Sequence, residues 1–214
     1  MKRGIIILAV CAVFLCGCGV NRPASAVPDA YVLIDAGHGG FDGGAVASDN
    51  SCEKEYNLAM AICLRDMLVV CGVPVRMTRD TDTALADSKA EDMRGRLALY
   101  EGAETVISIH QNHFSNPRYY GTQTFYSDAR PDSRVLAESI QNTVVNGLQP
   151  NNKRPLKEAD SGVFLMKNTT SVAVLVECGF LSNPEELSRL KSADYRQQLS
   201  FAIMLGYWNY QCQK

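Results

Sequence analysis

The chain has 214 residues, 46% hydrophobic and 21% charged, which fits one globular domain with a short extension. Its formal charge is −2 and no basic stripe stands out, which argues against a nucleic-acid partner. Of eight cysteines, five lie beyond the first twenty residues: Cys52, Cys63, Cys71, Cys178 and Cys212. That odd number without Cys-x-x-Cys spacing argues against a disulfide scaffold and favours buried small hydrophobes.

Residues 1–30 differ from the rest. Lys2-Arg3, an uncharged stretch from Gly4 to Val20, and then Asn21-Arg22-Pro23 make the pattern of an export signal outside the fold. Leu15-Cys16-Gly17-Cys18 resembles a bacterial lipobox with the lipid on Cys18, whereas Ala24-Ser25-Ala26 fits ordinary cleavage after Ala26. The seventeen uncharged residues also reach the lower edge of an uncleaved anchor. Each option puts the domain outside the cytoplasmic membrane, with membrane contact only through this segment. Cleavage after Ala26 leaves eighteen cations against twenty-three acids, a charge of about −5.

After a linker to about Ala30, Tyr31 to Asp35 reads as a buried strand. A glycine-rich loop leads to a helix from Lys54 to Val70, with Leu58, Ile62 and Leu68 roughly on one face and Gly72 and Pro74 as stops. Val73 to Thr78 reads as a strand, Arg79 to Glu91 as a polar turn region, Asp92 to Tyr100 as a helix and Val106 to His110 as a strand. The β-α-β alternation predicts an α/β sheet covered on both faces. Thr122 to Tyr126 reads as a strand and Ser133 to Leu148 as a helix. Gln149 to Asp160 is a basic loop without pattern, a candidate cleft rim. Val172 to Val176 is a strand ending at Glu177. Asn183-Pro184-Glu185-Glu186 has the form of a helix start, and Asp194 to Tyr210 is a core-packing helix.

Three apolar runs end in chemistry. The first breaks at Gly37-His38-Gly39-Gly40, the second reaches His110 and the third Glu177. In open α/β sheets, sites assemble at strand ends of this kind. The glycine loop does not fit a dinucleotide fingerprint, because Asp42 takes the third glycine position, and it has no P-loop lysine. A single histidine at a strand end is more often a core residue; two, with carboxylates nearby, point to a metal. Zinc takes imidazole nitrogen and carboxylate oxygen, and a catalytic site uses three protein ligands. His38 and His110 supply two, and Glu53 or Glu55 the third. His113 is read as cleft wall or ligand support. Glu177 reads as a general base beside the metal, or else as the ion-pair partner of Arg94 or Arg96.

Five blocks in order resemble one family: Asp35-Ala36-Gly37-His38-Gly39-Gly40, Glu53-Lys54-Glu55-Tyr56-Asn57-Leu58, Thr78-Arg79-Asp80, Ser108-Ile109-His110-Gln111-Asn112 and Glu177-Cys178-Gly179-Phe180-Leu181-Ser182-Asn183. They are similar to the zinc-dependent N-acetylmuramoyl-L-alanine amidases (amidase_3 family) from about Tyr31 to Tyr210. The segment Gly121 to Tyr126, the Lys153-Arg154 loop and Cys178 look most like the sporulation and germination-specific spore-cortex subgroup.

The resemblance implies a single α/β catalytic domain over residues 31–212, with a central twisted, mostly parallel sheet flanked by helices on both faces. It implies Zn2+ on His38, Glu53 and His110, with Glu177 as the catalytic glutamate, and so selects Glu53 over Glu55. His113 departs from the small residue usual there. The implied activity is hydrolysis of the amide between N-acetylmuramic acid and L-alanine of the stem peptide. Asn112 is expected to hydrogen-bond substrate, on position alone. Peptidoglycan is the expected partner, targeting would rest on the N-terminal segment or a partner protein, and the need for an activator protein stays open. The rival readings are a zinc carboxypeptidase-like peptidase and a non-catalytic peptidoglycan-binding relative.

Overall fold

A computed structural model describes residues 30–214. The export signal or anchor read in residues 1–30 thus lies almost wholly outside the described residues. Among the described residues, no helix is long and apolar enough to cross a membrane.

The elements run β1 (Val32–Ala36), α1 (Glu53–Val70), β2 (Val75–Met77), α2 (Lys89–Tyr100), β3 (Thr105–Asn112), β4 (Gln123–Tyr126), α3 (Pro131–Leu148), β5 (Lys157–Glu158), α4 (Phe164–Asn168), β6 (Val172–Phe180), α5 (Pro184–Lys191) and α6 (Ala193–Gln211). They build one six-stranded sheet in the order β2-β1-β3-β6-β4-β5. The first four strands are parallel, β4 runs antiparallel to β6, and β5 is parallel to β4. The expected α/β domain with a mostly parallel, doubly covered sheet is therefore what the chain forms.

Period-two alternation sorts the strand side chains onto two layers. Val32, Ile34, Ala36, Ile107, Ile109, Val174 and Val176 enter the larger core, with Met60 and Leu64 of α1, Ile140 and Val144 of α3, and Leu199 and Ile203 of α6. Leu33, Val106, Ala173 and Leu175 face the other way, onto Tyr100 of α2 and Leu165 and Met166 of α4. Burial on both faces is why these strands read as unbroken apolar runs.

Several elements differ from expectation. The buried face of α1 is Tyr56, Asn57, Met60, Ala61, Leu64 and Leu68, whereas Leu58 and Ile62 are only partly covered. Both stripes have helical spacing, and the one facing the sheet and α6 wins. Helix α2 starts earlier than predicted, because Ser88 is its N-cap: the hydroxyl accepts from the Glu91 N–H at 3.3 Å and donates to the Glu91 carboxylate at 2.9 Å. Helix α5 begins as read: the Asn183 side chain accepts from the Glu185 and Glu186 N–H groups.

The two-residue β5 and five-residue α4 fall in stretches without visible period, because neither is long enough to display one. The five cysteines are free thiols, as expected, but only Cys178 is buried; Cys71 and Cys212 are exposed and Cys52 and Cys63 partly so.

Candidate metal centre

The site forms where the parallel strands end and the apolar layers stop. His38 sits two residues beyond β1 with φ 60°, followed by Gly39 at φ 135° and Gly40 at φ 55°. These left-handed residues curl the chain so that Gly39 and Asp42 exchange backbone hydrogen bonds at 2.9 and 3.0 Å. The turn carries Asp42 Oδ2 to 2.9 Å from His38 Nδ1, which fixes the imidazole and turns Nε2 inward. Burial works against the Asp42 charge, but hydrogen bonds from His38, the Gly44 N–H and Lys89 hold its pKa down to about 2.

Two arginines brace the loop. Arg79 donates to the Ala36, Gly37 and Lys54 carbonyls at 2.9 to 3.0 Å, and Arg96 donates to the His38 carbonyl at 2.6 Å.

Glu53 is the first residue of α1 itself, not of a segment ahead of it. The partial positive charge of a helix N-terminus favours a carboxylate there. Its Oε1 lies 2.9 Å from His110 Nδ1 and accepts from the Gln111 N–H and the Asn57 amide. Its Oε2 lies 3.2 Å from His38 Nε2 and accepts from the Ala45 N–H. Burial would raise the Glu53 pKa, yet bonds from His110 and His38 hold it far below the usual carboxylate range. Burial would likewise strip the proton from His110, but Glu53 reverses this and lifts it to about 9.

Gly37 matters for space more than for backbone angle. A Cβ there would lie 2.3 Å from the His110 ring, so only glycine lets the two loops close. The His38 and His110 rings meet edge to face with centroids 5.0 Å apart, and one ligand atom from each of His38, Glu53 and His110 falls within 4.8 Å of the others. Two imidazoles and one ionised carboxylate at that separation are a donor set suited to one zinc ion. The same nitrogen and oxygen atoms that meet here would be the ones to share a cation.

Glu177 lies next to His110 across β3 and β6, where the two residues pair in register. It is inside β6, which runs on to Phe180, just as β3 runs past His110 to Asn112. The carboxylate is largely enclosed, and its Oε2 is buried with no hydrogen-bond partner among the described residues. Burial and the Glu53 charge push its pKa up to about 7, against the pull of His110. The alternative ion pair with arginine does not form: Arg96 is bound to Asp35 and Asp92, each at 2.7 Å. Beside His38 and His110 opens a cavity of about 310 Å3, walled by Phe164, Leu165 and Leu175.

Of the remaining candidates, Glu55 is exposed and is not one of the clustered residues, and His113 is exposed just past β3. Asn112 is half-buried, beyond an irregularity in the β3–β6 register, with its backbone carbonyl accepting from the Leu181 N–H at 2.8 Å. Sequence reading gave no role to Asp42 or Asn57, and it offered Arg96 as a partner for Glu177 instead of for Asp35 and Asp92. Asp42 is detectable in hindsight as an acid four residues from a histidine in a glycine-bounded turn; Arg96 carries no such signal, because its partners are sixty-one residues away at Asp35 and four away at Asp92.

Residues 32–207 match the family model described as Amidase_3, N-acetylmuramoyl-L-alanine amidase. The chain is 37% identical over 193 residues to the germination-specific N-acetylmuramoyl-L-alanine amidase of Bacillus subtilis (strain 168), covering 86% of this chain and 80% of that protein. Its structure is similar to that of the CwlD amidase from Clostridioides difficile, solved in complex with the GerS lipoprotein, with a TM-score of 0.82 and 33% identity over 86% of this chain and 99% of that one. It is also similar to the amidase AmiC2 of Nostoc punctiforme, with a TM-score of 0.77 and 29% identity over 87% and 98%.

Proposed function

Since the chain belongs to the Amidase_3 family of N-acetylmuramoyl-L-alanine amidases, we propose that it is a zinc-dependent peptidoglycan hydrolase. It cleaves the amide between N-acetylmuramic acid and the L-alanine that begins the stem peptide.

His38, Glu53 and His110 would hold the ion, and Asp42 orients His38 from behind. Zinc bound there supplies positive charge that polarises the scissile carbonyl and makes water more acidic. Glu177 accepts a proton from water as its oxygen adds to the carbonyl carbon. It then delivers that proton to the alanine nitrogen as the C–N bond breaks, leaving a lactyl carboxylate and a free amine. The observation that carries this reading is the unpartnered Oε2 of Glu177 one strand away from His110. In the metal-free protein burial raises the Glu177 pKa to about 7, and a zinc ion beside it would pull that value down and favour the proton-accepting carboxylate. Asn112, two residues past His110, is proposed to hydrogen-bond the substrate.

The likeness to a germination-specific enzyme supports a role in spore-cortex maturation. The CwlD–GerS complex supports a lipoprotein activator as partner. Residues 1–30 are proposed to export the domain, with lipid on Cys18, cleavage after Ala26 or an uncleaved anchor as the three routes, so that it acts at the cell wall.

The test is digestion of purified peptidoglycan by the full chain supplied with zinc, read by mass spectrometry. Whole stem peptides with free N-terminal alanine, and glycan with free lactyl carboxylates, are expected. Release of single C-terminal amino acids alone would establish the peptidase instead. Metal analysis far below about one zinc per chain would remove the metal from the account.

A further inference from the structure

The loop after α3 carries a basic run that the amide chemistry leaves unused. Lys153 and Arg154 line a groove of about 550 Å3 together with Arg118, Tyr119 and Gln123. Strand register ties the inner end of this groove to the reacting centre. His110 pairs with Glu177, and Glu177 pairs with Gln123, so the three stand in one row across β3, β6 and β4. Adjacent strands lie about 4.8 Å apart, which places Gln123 one spacing from Glu177.

Gln123 Oε1 accepts two hydrogen bonds from Arg154, from Nε at 3.1 Å and Nη2 at 2.6 Å. The same guanidinium lies over the Phe180 ring, 4.7 Å from its centroid. The Arg154 N–H is anchored to Asn152 Oδ1 at 3.0 Å, and the Gln123 amide to the Pro155 carbonyl at 2.9 Å. Arg154 is thus half-buried and locked by a neutral side chain and a ring. It has no ion-pair partner within reach among the described residues, and burial lowers its pKa while Glu186 and Glu177 act only at a distance. Gln123 occupies the Nε–Nη2 edge, which leaves the Nη1–Nη2 edge of the planar guanidinium to meet a carboxylate.

The substrate read above supplies one. The residue after alanine in a stem peptide is glutamate or its amide. Extended chain spans about 3.5 Å per residue. Its α-carboxylate therefore falls roughly 7 Å from the scissile nitrogen, the scale of the step from Glu177 past Gln123. We propose that Arg154, positioned by Gln123, determines specificity by binding the carboxylate of the second stem residue on the leaving side of the scissile amide. Arg118 and Lys153 add positive charge along the same groove. This inference rests on the amidase reading.

The test compares N-acetylmuramoyl-L-alanyl-D-glutamate with the same molecule amidated at the glutamate α-carboxylate, using the full chain with zinc. The wild type should prefer the acid by about 10-fold or more in kcat/KM, as expected for a charge-assisted bidentate contact. Arg154→Gln should bring that ratio to about one, and Arg154→Lys, with charge but no fork, should fall between. Each ratio is taken within one preparation, so partial unfolding cancels. Calorimetric binding of L-alanyl-D-glutamate against L-alanyl-D-isoglutamine decides in the same sense where short substrates turn over too slowly. A wild type without preference in turnover or binding, or an unchanged ratio in Arg154→Gln, overturns the proposal and leaves the amidase reading standing. Failure to cut peptidoglycan at all overturns that reading and this one with it.

Discussion

Asp35 and Glu177 are two carboxylates on the same face of one sheet, two strands and two register positions apart, and both are withdrawn from solvent. Asp35 accepts from Arg96 at 2.7 Å, Thr78 at 2.8 Å, Tyr100 at 2.7 Å and Ser108 at 2.7 Å. Burial raises its pKa, yet Arg96, His110 and these hydroxyls hold it at about 2. Glu177 has an oxygen with no donor among the described residues, and burial raises its pKa to about 7. Burial is common to the two, so the number of donors decides the outcome. A saturated carboxylate keeps its charge and ties strands, helix and loop together; an unsaturated one is left free to exchange a proton.

The comparison breaks first on Glu177→Gln. The amide keeps the shape and removes the base, so hydrolysis should fall about 10³-fold, within the range for loss of a general base. The midpoint of urea unfolding should hold or rise, since no hydrogen bond to Oε2 is lost. A variant keeping a tenth of the activity would remove Glu177 from the mechanism. Arg96→Met tests the other carboxylate. It strands Asp35 and Asp92 in the interior and should cost about 3 to 5 kcal/mol in urea denaturation, the scale for breaking a buried pair. A loss under about 1 kcal/mol would show the network to be dispensable.

Asp42→Asn lies between the two regions. It weakens the grip on His38 Nδ1 without touching a ligand atom, and should lower zinc affinity about 10- to 100-fold in a chelator competition. The smallest effect is a slope. In protein stripped of metal, the stability contributed by protonated Glu177 is complete below its unfolded pKa of 4.5 and declines as pH rises through about 7. Asp35 acts with the opposite sign: its contribution is present above 3.8 and is lost as pH falls towards 2. His110, lifted from 6.5 to about 9, adds a further decline that begins at the upper edge of the Glu177 window and runs to about 9. Urea midpoints should therefore fall between pH 5 and 7 in the wild type and flatten there in Glu177→Gln, with the acid-side slope unchanged.

The main strands and helices were legible because buried strands are long apolar runs and because Asn183 and Gly72 are strong local stops and starts. Their ends were not. The runs Val106 to Ile109 and Val172 to Val176 predict strands stopping at His110 and Glu177, whereas both strands continue into the site. Polarity there marks where a strand leaves the hydrophobic layer, not where its hydrogen bonding ends. The buried stripe of α1 was misplaced for a related reason, since two helical stripes compete and only the sheet chooses between them.

By itself the sequence determined the layer architecture and the lack of a disulfide framework, and its ordered blocks, through the family resemblance, put forward His38, Glu53, His110 and Glu177, where spacing left Glu53 and Glu55 open. Those features depend on residue type and order along the chain. The tertiary structure alone decided which carboxylate would be saturated and which left bare. It also brought Asp42 behind His38, aimed Arg96 at Asp35 instead of Glu177, and lined up His110, Glu177, Gln123 and Arg154 across three strands. Donor count and strand register are properties of neighbours distant in the chain, and they exist only once the sheet has closed.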